Sequence, residues 1–437
     1  MGLSAYTAIT ELRALARELF MVGVRAAEPG RALAAAWDKE PPPEPAAGGR
    51  YHIIAFGKAA VAMLEVALNR LPVRRDVEAI AVTNDENYRV VPGARIHAAG
   101  HPVPDRRSLN AANDVIAQLE AAGPKDVVVA LVSGGGSALL TAPVDGLTLD
   151  QKSATTECLL RTGLDISAIN AVRQHLSRLK GGGMGRLAQP APVTAYILSD
   201  VPDDCLAAVA SGPTVGRSLS TRMLRKRLVE WDLSGRLPDA AWRILMKDND
   251  METGVTTRSS GSTCPNCRNI LIGSNRMSLD AIQASRPGFP IGLAETGYSL
   301  DVNAAAERML ADAARLATGE RQALIYGGET HVTVRGTGLG GRNQELALRF
   351  ALGARTRRIG GDWVFLSGGT DGRDGPTDSA GAIVDPGSLH RMEAASMDPV
   401  RMLTTNDSYP ALAASDDHLF TGGTGTNVAD IQIFLRG

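Results

Sequence analysis

Over residues 7–27 the apolar side chains Ile9, Leu12, Leu15, Ala16 and Leu19 recur at helical spacing, so the chain is predicted to open on an amphipathic helix. The run Pro41-Pro42-Pro43-Glu44-Pro45 ends any helix and serves as a stiff connector. After it, short apolar and partly β-branched runs at 51–56, 79–83, 127–132 and 193–198 read as strands, and helical patterns fill 58–71, 108–122, 149–161 and 166–179. This alternation predicts an α/β fold: a Rossmann-like, mainly parallel sheet covered on both faces, with binding groups at the carboxyl ends of its strands. From Arg217 to Cys267 the pattern changes to charged helical stretches and a polar loop over 247–262, which puts a domain boundary near residue 235. A second alternating series follows, with strands at 270–272, 323–326, 332–334, 363–367 and 382–384 and helices at 300–317 and 342–354. The chain is therefore predicted to hold two α/β domains, 1–235 and 236–437. The last strand-like run, Ile431 to Phe434, lies in a segment, 418–437, that could pair in either sheet.

Composition narrows the function classes. The 437 residues carry 46 Lys and Arg against 47 Asp and Glu, a formal net charge of -1, so no global field exists for gripping nucleic acid or an anionic membrane. Any anion must be held by local groups. Aromatics are only 4% while glycines number 47, which disfavours base-stacking platforms and favours tight turns and close backbone approaches. Four cysteines are too few for a disulfide framework, and no run of about 18 apolar residues supplies a membrane span. A cytoplasmic protein without nucleic-acid or membrane partners is expected.

Six loops at strand ends carry candidate chemistry. The strand at 127–132 runs into Ser133-Gly134-Gly135-Gly136-Ser137-Ala138 and then a helix, the arrangement of a backbone phosphate cradle. Phe56-Gly57-Lys58-Ala59 likewise ends a strand, and Lys58 can neutralise phosphate or carboxylate charge. It is not a Walker A lysine, since Ala59 stands where Ser or Thr would hold magnesium. In Ser199-Asp200-Val201-Pro202-Asp203-Asp204, three carboxylates within five residues repel one another unless a cation or a proton separates them, and Asp203 and Asp204 fit equally as charges at a helix N-terminus. Gly336, Gly338 and Gly341 match the dinucleotide fingerprint G-x-G-x-x-G, but Asp362 precedes the next strand instead of ending it, and Arg342 adds a cation better suited to a phosphoryl group or a carboxylate. The loops Ser367 to Gly375 and Thr421 to Asp430 mix glycine with hydroxyls and carboxylates, the composition of a polar site wall and equally of surface turns. Cys264 and Cys267 have knuckle spacing without a second ligand pair, so zinc is not expected.

Together with Gly100-His101-Pro102-Val103-Pro104-Asp105, Asn170-Ala171-Val172-Arg173-Gln174-His175-Leu176-Ser177, Lys180-Gly181-Gly182, Ser211-Gly212-Pro213-Thr214, Gly327-Gly328-Glu329-Thr330, Gly340-Gly341-Arg342-Asn343-Gln344-Glu345, Gly369-Thr370-Asp371-Gly372 and Gly425-Thr426-Asn427, these loops resemble the motifs of the glycerate kinase family with a C-terminal MOFRL domain. Members of that family also carry the name hydroxypyruvate reductase. The resemblance covers nearly the whole chain. It implies a glycerate kinase domain over 1–235, a MOFRL-type domain over 236–437, and ATP- and Mg²⁺-dependent phosphorylation of D-glycerate at its 2-hydroxyl in an interdomain cleft. On that reading Lys58 and Arg342 act directly, Ser133, Gly134, Gly135, Gly136, Ser137 and Asn427 bind the nucleotide, and His101, Arg173, Glu329 and Asp371 bind the substrate. Asp200 at its strand end is the expected proton acceptor, preferred to Asp371, and Asp200 with Asp204 is expected to hold Mg²⁺. A monomer or homodimer acting on D-glycerate and ATP follows. The alternatives are an NAD(P)H-dependent hydroxypyruvate reductase, a kinase for a related sugar acid, and a non-catalytic nucleotide sensor.

Overall fold

The structure, a computed structural model, describes residues 3–72, 76–201, 203–247, 264–285 and 288–437. The expected polar loop lies outside these residues from position 248 on, as does Pro202. Strands β1 (Tyr51–Phe56), β2 (Val77–Thr83), β3 (Arg95–Ala98), β4 (Val127–Val132), β5 (Val193–Leu198) and β6 (Cys267–Gly273) form one sheet in the order β3-β2-β1-β4-β5-β6. The pairings from β3 to β5 are parallel. This is the doubly wound order, and it reverses between β1 and β4. All residues of β1, β4 and β5 are buried, which is why these strands read as unbroken apolar runs instead of alternating ones.

A second sheet contains β7 (Ile291–Asp301), β8 (Gln322–His331), β9 (Trp363–Gly369), β10 (Gly381–Val384), β11 (His418–Leu419) and β12 (Asp430–Arg436), in the order β11-β10-β9-β12-β8-β7. It is mixed: β7 and β8 are parallel, whereas β12 runs antiparallel to β8 and β9, and β10 antiparallel to β9 and β11. On one face Phe350 stacks on Phe365 at 4.0 Å between ring centroids and packs with Trp363 and Phe434. On the other face Leu12, Ala16, Leu19 and Phe20 of the opening helix (Leu3–Ala26) cover Ile431, Ile433 and Leu435.

The chain divides into two compact units. The first comprises 29–199 and 205–272, and the second comprises 1–28, 200–204 and 273–437. The pattern change places a boundary near residue 235, whereas the first sheet extends to β6 at its edge. The terminal strand pairs at the centre of the second sheet. Residues 332–334 do not form the separate strand that their composition suggests: β8 ends at His331, and Val334 is exposed.

Candidate active site

The reversal of strand order sets the loops after β1 and β4 side by side, where open α/β sheets bind ligands. Ser133 N–H donates to the Phe56 carbonyl at 3.0 Å, Ala59 N–H donates to Ser133 Oγ at 3.1 Å, and Lys58 N–H donates to the Gly134 carbonyl at 2.9 Å. The approach requires glycine at position 57, where a Cβ would stand 2.2 Å from Ser133 Oγ. Among the described residues, the N–H groups of Gly134, Gly135 and Gly136 have no protein acceptor, which leaves a row of backbone donors at the carboxyl end of β4. The following helix, Gly136–Leu139, is a single turn, so this cradle rests on its loop donors and not on the dipole of a long helix.

Lys58 and His101 converge on this loop. Gly135 adopts φ +80°, and a Cβ there would lie 3.1 Å from His101 Nε2 and 3.2 Å from Lys58 Cγ. Burial, and then the charge of Lys58, lower the pKa of His101, so its imidazole is neutral near pH 7. At the far end of the loop, Ser137 Oγ lies 2.7 Å from Ser211 Oγ. The Ser211 hydroxyl is also 3.0 Å from Asn170 Oδ1, which accepts from Arg173 Nη1 at 3.2 Å. Lys58, His101, Ser133 to Ser137 and Arg173 thus belong to one network in the first unit.

Arg342, Glu329, Asp200, Asp204, Asp371 and Asn427 lie in the second unit. Arg342 opens the helix Arg342–Arg357 and grips the fully buried Asp430 with two donors, Nε at 2.6 Å and Nη2 at 2.8 Å; Nη2 also reaches Glu329 at 3.0 Å. Burial opposes its charge, but the hydrogen bonds and charge of Asp430, with Glu329 behind, outweigh that and raise the pKa of Arg342. Glu329 is raised by burial first, partly offset by Arg342, and further by Asp430 and Asp200. Asp371 Oδ1 accepts from Arg373 N–H at 3.0 Å, and Asn427 Oδ1 accepts from Ala429 N–H at 3.2 Å. The loops carrying these two residues are joined where Thr424 N–H donates to the Asp371 carbonyl at 3.3 Å.

Much of the dinucleotide fingerprint is engaged within the protein. The N–H groups of Arg335 and Gly336 donate to Asn406 Oδ1, Gly338 N–H to the Thr405 carbonyl, and Leu339 N–H to Asp407 Oδ1. The helix N-terminus that would face a pyrophosphate is filled by the Asp374 carboxylate, which accepts from Asn343 and Gln344 N–H at 3.1 and 2.8 Å. Burial raises Asp374 to about 6 even though those two bonds favour its ionised form.

For Mg²⁺ the donor chemistry is suitable but not a closed cage. Among the described residues, no three His, Cys, Asp or Glu side chains gather as a metal site. Magnesium asks for only one or two carboxylates when substrate phosphates and water complete the shell. Asp204 Oδ1 is buried without a hydrogen-bond partner among the described residues, and Asp200 lies near enough to Glu329 to raise its pKa. Asp430 and Asp374, which hold Arg342 and its helix, lie in two of the loops marked by sequence, but sequence assigns neither a role. Their signal was confined to position: each lies at a glycine-rich strand end.

Taken together, the fold is a two-unit α/β protein with a row of unengaged backbone N–H groups at a topological switch point. The chain belongs to the glycerate kinase family with a MOFRL domain. Residues 15–246 match the family described as "Domain of unknown function (DUF4147)", and residues 322–430 match the "MOFRL family". A "Putative hydroxypyruvate reductase" of Agrobacterium vitis is 39% identical over 89% of this chain and 100% of its own length. A glycerate 2-kinase of Pyrococcus horikoshii is 35% identical over 89% of this chain and 87% of its own. The crystal structure of a glycerate kinase from Thermotoga maritima superposes with a TM-score of 0.86 at 33% identity, covering 98% of this chain and 100% of that one.

Proposed function

We propose that this protein transfers the γ-phosphoryl group of ATP to the 2-hydroxyl of D-glycerate, giving 2-phosphoglycerate and ADP. The observation that carries the reading is the likeness, over nearly the full length, to a solved glycerate kinase, in a chain whose Gly134 to Gly136 N–H groups lack acceptors among the described residues at the β1/β4 switch point. Phosphoryl transfer asks a protein chiefly for positioning and charge compensation. The Ser133 to Ser137 loop holds phosphate oxygens, and Lys58, fixed against that loop, offsets charge on the transferring group. Neutral His101 donates to or accepts from the acceptor substrate without adding charge. The Asp200 carboxylate takes the proton of the 2-hydroxyl as its oxygen bonds to phosphorus and the bond to ADP breaks. Arg342 is oriented by Asp430 and presents its remaining donors to a substrate anion, with Glu329, Asp371 and Asn427 contributing polar contacts. Asp200 and Asp204 would hold Mg²⁺, which supplies positive charge to the phosphates.

A reductase reading has little support beside this one, because the helix N-terminus that would receive a dinucleotide pyrophosphate is filled by the Asp374 carboxylate and Asp362 precedes the next strand instead of ending it. No described helix is long and apolar enough to cross a membrane. ADP release measured with D-glycerate, L-glycerate and glycolate tests the proposal. Turnover confined to D-glycerate supports it, and equal turnover with all three would refute the assignment of the acceptor.

A further inference from the structure

Behind the cradle lies a cluster of three cations without a counter-ion. Lys180 is among the most fully buried side chains of the protein, and its Nζ donates to the Ser137 carbonyl at 2.5 Å. Lys152 is also buried, its Nζ donating to the Leu176 carbonyl at 2.9 Å. Arg173 completes the group through the Asn170–Ser211–Ser137 chain of hydrogen bonds. Among the described residues none of the three forms an ion pair, although ion pairs are frequent elsewhere in the chain, and the only charges acting on them are one another's. A buried charge is ordinarily paired or neutralised, because removal from water is costly. Burial, and then Arg173, push Lys152 down to about 7, and burial, then Arg173 and Lys152, hold Lys180 well below the usual lysine range. Three basic side chains gathered around neutral acceptors regain their full charge when an anion joins them.

We propose that Arg173, Lys180 and Lys152 form the recognition site for the carboxylate of the three-carbon acid, with Arg173 touching it and the two lysines acting from behind through the Ser137 and Leu176 carbonyls. This rests on the kinase reading above. A planar guanidinium matches a carboxylate with two parallel hydrogen bonds, and among the described residues only one Arg173 donor is engaged, by the neutral Asn170. With the phosphates of the donor assigned to the Gly134 to Gly136 donors and Lys58, and Arg342 to the transferring phosphoryl group, the acid group is the anion still in need of a partner. On this account the enzyme selects acids over polyols and amides because an uncharged acceptor leaves the cluster uncompensated.

The test compares D-glycerate with D-glyceramide, its uncharged analogue, in wild type, Arg173→Gln and Lys152→Met. In wild type D-glycerate should be preferred strongly in kcat/KM. Arg173→Gln should raise KM for D-glycerate by about ten- to a hundredfold, the scale of one charge-assisted hydrogen bond, while leaving KM for ATP within about twofold. The preference for acid over amide should shrink by the same factor, which a merely structural role would not produce. Lys152→Met should shift both quantities in the same direction by less. A rise in KM for ATP with unchanged KM for D-glycerate would assign the cluster to a nucleotide phosphate and overturn the proposal. An unchanged acid-to-amide ratio would overturn it too. If Arg173→Gln fails to fold, thermal protection of wild type decides: D-glycerate without ATP should raise the melting temperature where D-glyceramide does not, and equal protection refutes the site. Absence of phosphoryl transfer in wild type would sink the kinase reading alone, since protection by the acid over the amide still reports the cluster.

Discussion

Replacing Gly135 by alanine separates the chemistry of the cradle from its contribution to stability. The residue sits at φ +80°, a left-handed conformation that costs a residue with a Cβ about 1–2 kcal/mol. The added methyl would also meet His101 Nε2 at 3.1 Å and Lys58 Cγ at 3.2 Å, so both side chains must yield by a few tenths of an ångström. Displacements of about 1 Å around a reacting group cost on the order of a hundredfold in rate, and this smaller one should cost about tenfold or more. Gly146 supplies the control, with φ +83° and nothing within 4 Å of the methyl that alanine would add. Gly146→Ala should therefore lose a similar stability, about 1–2 kcal/mol in urea unfolding, yet keep its kcat. The assay is paired: unfolding free energy for both variants, and ADP release with D-glycerate under saturating substrates. If Gly135→Ala and Gly146→Ala lose the same stability and the same activity, the loop is a structural turn and the assignment of Lys58 and His101 to the reaction fails.

Lys58→Ala should lower kcat by about a hundredfold or more while the protein stays folded, as when one preorganised donor is removed; near-normal turnover makes Lys58 a surface residue. Arg342→Lys keeps the charge but gives up the two-donor grip on Asp430, so it should be clearly impaired, and Arg342→Ala, which leaves a buried carboxylate without its cation, should be worse in both activity and urea stability. Lys152, held near 7 when folded and near 10.5 when unfolded, penalises the fold fully below pH 7; between those values the unfolded chain holds a proton the folded one has lost, so stability rises with pH. Unfolding of wild type and Lys152→Met at pH 6 and pH 9.5 should show the variant gaining a few kcal/mol relative to wild type at pH 6, a gain that shrinks at pH 9.5, and a pH-independent difference would contradict this.

How much was legible in the sequence follows from how local each signal is. Strands β1, β4 and β5 are buried on both faces, so their apolar runs appear without any knowledge of the partners, and the glycine runs at their ends mark where the backbone approaches closely. The stripe on helix Leu3–Ala26 announces a buried face but not which sheet it covers, and it covers the second one, some 400 residues further along the chain. The same limit applied to β12, whose composition fits either sheet. The fingerprint at Gly336, Gly338 and Gly341 failed for a different reason: spacing records where glycines stand, while the acceptors for the N–H groups of Arg335, Gly336, Gly338 and Leu339 come from Thr405, Asn406 and Asp407, and Asp374 fills the helix N-terminus that follows. Lys180 was visible in the Lys-Gly-Gly run, but only its burial beneath Ser137 distinguishes it from a solvated lysine.

The most direct test of the account is to identify the product. The purified protein is incubated with D-glycerate, ATP and Mg²⁺, the mixture is followed by ³¹P and ¹H nuclear magnetic resonance, and a parallel sample receives hydroxypyruvate with NADH or NADPH. The account predicts a phosphomonoester on the carbon bearing the 2-hydroxyl, formed mole for mole with ADP, and a flat absorbance at 340 nm in the parallel sample. Steady oxidation of the nicotinamide cofactor without phosphoryl transfer, or phosphate on the 3-hydroxyl, would contradict it.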